Sequence, residues 1–187
     1  MATFFRGAGI GTYWHANNAL LSGFTAQFPG GARNFLNHIR VGTTNSPYIS
    51  LTRSFGVAWS YAMGGHAVPT AANPAYVYEI DISDPLPPGV TLIDPISDLA
   101  RTLPAPQASF SYQHDGLPGF LLGVIDPSAH SAHLSTPVLV PPPAGAVARP
   151  ATLSPELEVL VRGLRDAELL AIGSIPQACV IHRHSVF

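Results

Sequence analysis

The chain has 187 residues, a length for one domain that can bury about 70% of its unfolded surface without a metal or disulfide staple. Charged residues make up 11% and apolar residues 47%, which excludes intrinsic disorder, since disorder needs charge and a shortage of apolar groups. A net charge of −2 supplies no basic stripe and excludes constitutive nucleic-acid binding by charge alone.

In chain order, Thr3 to Gly7 reads as a short strand running into a glycine-rich turn. Asn17 to Phe24 predicts a short helix capped by Asn17 or Asn18, and Ala32 to Ile39 a second. Pro47 to Leu51 is a compact apolar strand. Thr52 is placed to cap a helix over Ser54 to Met63, where Phe55, Ala58, Trp59 and Ala62 recur at helical spacing. Ala75 to Ile82 is the clearest strand, its β-formers alternating with Glu79 and Asp81 so that one face is wet. Thr91 to Asp94 and Phe120 to Ile125 are further apolar runs. Thr136 to Pro155, rich in Pro, Ala and Val, reads as a long surface connection. Pro155 to Arg165 fits a helix with proline at its first position. Glu168 to Gly173 and Gln177 to Arg183 close the chain as strands separated by Ile175-Pro176. Short strands and a few helices in no regular alternation indicate one α+β domain over residues 1–187.

Residue counts narrow the chemistry. All nine cations are arginine, which removes the P-loop, Schiff-base and kinase lysines together. Cys179 stands alone, so no disulfide or cysteine-rich zinc site forms within the chain. The start lacks the pattern of a signal peptide, and no apolar run approaches the ~18 residues of a membrane span. The expectation is a soluble chain, cytoplasmic or delivered as an effector, without a membrane partner. Gly7, Gly9 and Gly11 mimic a dinucleotide fingerprint, but Thr12 occupies the third glycine's place and no acidic partner follows. His130 with His133, and His182 with His184, belong to no recognised metal motif, so no metal is expected.

Three separated pieces remain. Arg6 ends the first strand; Ser46-Pro-Tyr-Ile-Ser50-Leu-Thr52 is a hydroxyl-bearing strand entering a helix that carries Phe55 and Tyr61; and Arg165-Asp166-Ala-Glu168 opens a late strand leading to Gly173-Ser-Ile175-Pro176. In this order they resemble the Arg-Ser-Glu class of ADP-ribosyltransferases, the group of the cholera-toxin and heat-labile enterotoxin catalytic subunits. The resemblance covers about half of the chain, at the start and over residues 46–82 and 165–181; residues 95–150 take no part.

The resemblance implies two packed, mainly antiparallel sheets with NAD⁺ in the cleft between them, and transfer of ADP-ribose to an acceptor with release of nicotinamide. The donor's ribose passes through an oxocarbenium-like state that a carboxylate can stabilise. Glu168 is the family's catalytic position by its spacing to Ile175-Pro176. Glu158 is the alternative, because Glu156 and Glu158 mimic a Glu-x-Glu pair inside a predicted helix. Arg6, with Gly7 behind it, would hold a phosphate or ribose oxygen. Ser50 would orient the glutamate, Thr52 would support the turn, and Phe55 or Tyr61 would stack on nicotinamide. Asp166 stands where arginine-modifying members carry Glu and others Gln, so acceptor identity stays open. His38 reads as a structural histidine that could line the cleft. NAD⁺ glycohydrolase activity, or a binding module that has lost turnover, are the rival readings. An inhibitory or immunity partner is an accompanying expectation.

Overall fold

The computed structural model describes residues 2–42, 45–102, 113–114, 117–118, 139–140, 151–152 and 155–187. Its centre is a seven-stranded, wholly antiparallel sheet that curls around its core. The strands are β1 (Ala2–Ala8), β2 (Phe24–Thr25), β3 (Tyr48–Thr52), β4 (Ala75–Ile82), β5 (Val90–Ile93), β10 (Glu168–Ile175) and β11 (Val180–Val186). Their order is β11-β4-β1-β3-β10-β2, with β5 also paired to β10. Between them lie four two-residue strands, β6 (Gln113–His114) with β7 (Leu117–Pro118), and β8 (Leu139–Val140) with β9 (Ala151–Thr152). The helices are α1 (Tyr13–Ala16), α2 (Ala19–Ser22), α3 (Phe35–Val41), α4 (Phe55–Met63), α5 (Pro95–Thr102) and α6 (Pro155–Asp166). This is the α+β class expected of the sequence. The two separate sheets implied by the resemblance are here two halves of one ladder.

Those halves are joined at one point. β1 pairs with β4 along its whole length, from Ala2 opposite Ile82 to Ala8 opposite Tyr76. β3 pairs with β10 over five residues, Glu168 opposite Thr52 through Ile172 opposite Tyr48. β1 and β3 share only Phe5 opposite Thr52. Beyond that pair the two strands part, and a cleft opens between the halves.

Each half is built by the period-two pattern of its strands. Ile49 and Leu51 of β3, Leu169 and Ala171 of β10, and Phe4 and Ala8 of β1 join Phe24, Tyr78 and Ile80 in one core. The opposite face of the β1–β4 half receives α4 through Ala58, Ala62 and Val77. Gly7 permits this contact: a Cβ there would collide with the Ala58 carbonyl.

Several boundaries differ from expectation. Thr52 is not the cap of α4. Ser54 is, its hydroxyl accepting from Val57 N at 3.3 Å, because Thr52 still belongs to β3 and its hydroxyl is committed elsewhere. The helix expected over Asn17 to Phe24 is a single turn capped by Asn18, since Phe24 is drawn into the core as part of β2. Ala32 to Ile39 begins its helix later, after the Asn34 cap. Gln177–Cys179 is a 3₁₀ turn before β11 begins. Helix α5 was not foreseen; Asp94 starts it by accepting from Ser97 N at 3.0 Å. The run Phe120 to Ile125, the pair His130 and His133, and most of Thr136 to Pro155 lie outside the described residues.

Candidate active site

Alternation puts Ile49 and Leu51 of β3 in the core and leaves Ser50 and Thr52 on the opposite face. In β10 the same rule buries Leu169 and Ala171 on the core side and sets Glu168 on the other. Glu168 is cross-strand neighbour to Thr52, and Leu170 to Ser50, so the two hydroxyls and the carboxylate share one surface. Ser50 hydrogen-bonds the Glu168 carboxylate. From β1, one residue past the joining pair, Arg6 donates from Nη1 to the Ser50 carbonyl at 2.5 Å. Its buried Nε has no partner among the described residues.

Arg6, Gly7, Ser50, Thr52, Tyr61, Asp166 and Glu168, all nominated from the sequence, line one cavity of about 390 Å³. Phe55 faces elsewhere: its ring meets Phe5 edge-on at 5.5 Å and His184 at 5.3 Å. As the first residue of α4 it packs on the sheet, whereas Tyr61, further along the helix, reaches the cavity wall. Glu158 lies outside the lining as well. It bridges Arg40 and Arg162 at 2.9 Å each, tying α3 to α6.

His38 is the residue that sequence reasoning undervalued. It is 2% exposed, and both ring nitrogens are engaged, Nδ1 with Ser46 Oγ and Nε2 with Ser50 Oγ, each at 2.8 Å. The Tyr48 N–H donates to Ser46 Oγ at 3.3 Å, which leaves the Ser46 hydrogen free for Nδ1. Nε2 then carries the ring proton and donates to Ser50, whose own hydrogen is left for a carboxyl oxygen of Glu168. A directed chain from Ser46 through His38 and Ser50 to Glu168 results. A lone histidine on a seven-residue helix gave no hint of it, because both its partners come from the segment that leads into and forms β3.

A second set of contacts lies just before Glu168. Arg165 forks onto Asp166, Nε to Oδ1 at 2.6 Å and Nη2 to Oδ2 at 2.7 Å. Tyr61 donates its hydroxyl to Asp166 Oδ2 at 2.7 Å. Thr52 Oγ1 donates to the Asp166 carbonyl at 2.5 Å and accepts from Ser54 N at 3.0 Å. Ala167 turns the chain from helix to strand in one residue, at φ 47°, a conformation costly for anything but glycine.

Burial dominates the electrostatics. It raises the Glu168 carboxyl to about 8, and the Asp166 charge adds to this against Ser50, Arg165 and Arg6. Burial lowers His38 to about 4, with the Arg6 charge acting the same way, so the ring is neutral in the relay. Arg6 is lowered to about 10 by burial, opposed by Glu168. Tyr61 is 45% exposed, yet its hydroxyl end is inside, and desolvation with the Asp166 charge pushes the phenol well above its usual value.

These shifts predict the pH dependence of stability. Folded Glu168 holds a proton that the unfolded chain has already lost between about 4.5 and 8, so stability falls as pH rises through that window. His38 acts oppositely, because the unfolded chain binds its proton between 6.5 and about 4, and stability is lost as pH falls there. The two slopes oppose each other below 6.5, and above it the Glu168 term stands alone. Thermal unfolding is expected to show a decline in Tm from pH 6.5 to 8 that Glu168→Gln removes. An equal decline in the variant would assign the slope to other groups.

Among the described residues, no group of three or more His, Cys, Asp or Glu is placed to hold a metal ion. No described helix is long and apolar enough to cross a membrane. Comparison with family models, curated proteins and solved structures finds no significant match to this chain.

Proposed function

We propose that the chain is a mono-ADP-ribosyltransferase with an ADP-ribosyltransferase-like fold, using NAD⁺ as donor, Glu168 as the catalytic carboxylate, Ser50 as its orienting hydroxyl and Arg6 as a donor-binding cation. The observation that supports it is the convergence of three distant segments. Arg6 from β1 is bonded to the carbonyl of Ser50 in β3, and the hydroxyl of that same Ser50 is bonded to Glu168 of β10, all three lining one cavity.

The geometry suits the chemistry. Breaking the nicotinamide–ribose bond sends its electron pair to the pyridinium nitrogen and leaves a cationic sugar. A carboxylate held in a dry site stabilises that cation far more than one in water does. The raised affinity of Glu168 for its proton reflects that same dryness, and a bound cationic donor would favour the ionised form. Arg6 suits a phosphate, since its Nε is buried with no partner among the described residues.

A glycohydrolase, with water as acceptor, is the second reading, favoured by the engagement of Asp166 within the protein. Nicotinamide release from NAD⁺, measured with and without cell lysate, tests both. Release that depends on lysate supports transfer; equal release supports hydrolysis. Absence of release in both arms, with the protein folded, sinks the enzymatic reading and leaves a binding module.

A further inference from the structure

Two carboxylates line the cavity, Asp166 and Glu168, and they stand in different circumstances. Glu168 is held by the Ser50 hydroxyl, with the charges of Arg165 and Arg6 near it. Asp166 is enclosed from the protein side. Its Oδ1 takes Arg165 Nε, and its Oδ2 takes both Arg165 Nη2 and the Tyr61 hydroxyl. Its side chain is 8% exposed and that of Arg165 is 3% exposed. Its backbone is tied too, the carbonyl to Thr52 Oγ1, and the following Ala167 carbonyl accepts from Arg53 N at 3.1 Å. Asp166 is thus the anchor that fixes the start of β10 against β3, two residues before Glu168.

We infer that Asp166 is a positioning residue for Glu168, closed to the acceptor by Arg165 and Tyr61, so that the cavity serves neutral oxygen nucleophiles, water or an alcohol, and not a guanidinium. The acceptor part of this inference rests on the proposed NAD⁺ chemistry; the positioning part does not. A guanidinium is cationic across the working pH range and must surrender a proton before it attacks, which calls for a free carboxylate beside the one that stabilises the sugar. Asp166 could serve only by giving up the fork to a cation buried as deeply as itself. An alcohol needs less. The C1′–nitrogen bond breaks with its pair going to the nicotinamide nitrogen, a C1′–oxygen bond forms, and the acceptor's proton passes to Glu168 and from there to solvent.

Among the described residues, each element packed on Glu168 brings a group to face it. These are Arg6 from β1, Ser50 from β3 with His38 of α3 behind it, Tyr61 from α4, and Arg165 with Asp166 from α6. Of these, the Asp166 charge disfavours the ionised carboxylate, while Ser50, Arg165 and Arg6 favour it. Removing the Asp166 charge should therefore let Glu168 ionise at lower pH.

The test compares wild type with Asp166→Asn. NAD⁺ is supplied with agmatine as the guanidine and glycerol as the alcohol, and products are separated by chromatography. The ¹³C resonance of the Glu168 carboxyl is titrated in parallel. Wild type is expected to form ADP-ribose and a glycerol adduct without an agmatine adduct. In Asp166→Asn the water-to-glycerol partition stays within about twofold of wild type, because the acceptor never met Asp166. The Glu168 midpoint moves to lower pH while the backbone amide resonances of β3 keep their wild-type positions; a loosened site would lower the midpoint too, by rehydrating the carboxyl, but would move those resonances. An agmatine adduct as the main wild-type product overturns the inference, as does a tenfold collapse of glycerol transfer relative to hydrolysis in the variant, or a Glu168 midpoint that does not move. If wild type leaves NAD⁺ intact, the transferase reading fails while the titration, which needs no turnover, still decides the role of Asp166. If the variant does not fold, the wild-type product set decides alone.

Discussion

Glu168→Gln is expected to fold, to bind NAD⁺ within about tenfold of wild type, and to lose roughly 10²–10⁴ in turnover, the scale of removing a positioned charge from a transition state. Glutamine preserves the shape and can still meet Ser50, so the relay from His38 keeps its end. What disappears is the negative charge opposite the developing sugar cation. Folding should not suffer, because the replaced group is held protonated at neutral pH by its burial, and a neutral amide asks less of that environment than a carboxylate. Glu158→Gln is the control. Glu158 serves Arg40 and Arg162 on the flank of α6 and lies outside the cavity lining, so its replacement should leave turnover unchanged. Single-turnover nicotinamide release on the two variants decides the matter. A silent Glu158→Gln enzyme beside an active Glu168→Gln enzyme would move the catalytic role to the helix and dissolve the site described above.

The pattern of what the sequence revealed follows from the range of the forces involved. Strand β4 was legible residue for residue, because its alternation is local and its wet side carries Glu79 and Asp81. Glu168 was legible because it opens a strand whose end is marked by Ile175-Pro176. His38 was not, since nothing within α3 shows that its two nitrogens will meet Ser46 and Ser50. Thr52 was misread as a cap because a threonine before a helix looks the same whether its hydroxyl turns to the helix or, as here, to the Asp166 carbonyl 114 residues away. Asp166 shows the same gap. Its place two residues before Glu168 was visible, while the Arg165 fork and the Tyr61 hydroxyl that close it depend on how α6 and α4 converge. Short-range patterns specified the elements; the polar contacts between elements specify the site.

Replacing Arg6 by lysine is expected to weaken NAD⁺ binding ten- to a hundredfold, about 1.5–3 kcal/mol, although the charge is kept. The reason lies in what Arg6 does at once. Its Nη1 holds the Ser50 carbonyl across the opening between the two halves of the sheet, and Nε lies buried with no partner among the described residues. A planar fork can keep the strand contact with one nitrogen while offering others to a phosphate or ribose oxygen. A lysine ammonium is a single point that must choose. If it stays on Ser50, the donor loses its cation; if it turns to the donor, the Ser50 carbonyl loses the contact that holds β3 where its hydroxyl can orient Glu168. Both routes weaken donor binding, but they differ kinetically. The first raises KM alone, whereas the second lowers kcat as well, because Glu168 loses its alignment. Calorimetric titration of NAD⁺ into wild type and Arg6→Lys measures the affinity, and steady-state nicotinamide release separates the routes. Equal affinities in two folded proteins would reduce Arg6 to a strut between β1 and β3, and the NAD⁺ phosphates would have to be received elsewhere in a chain whose cations are all arginine.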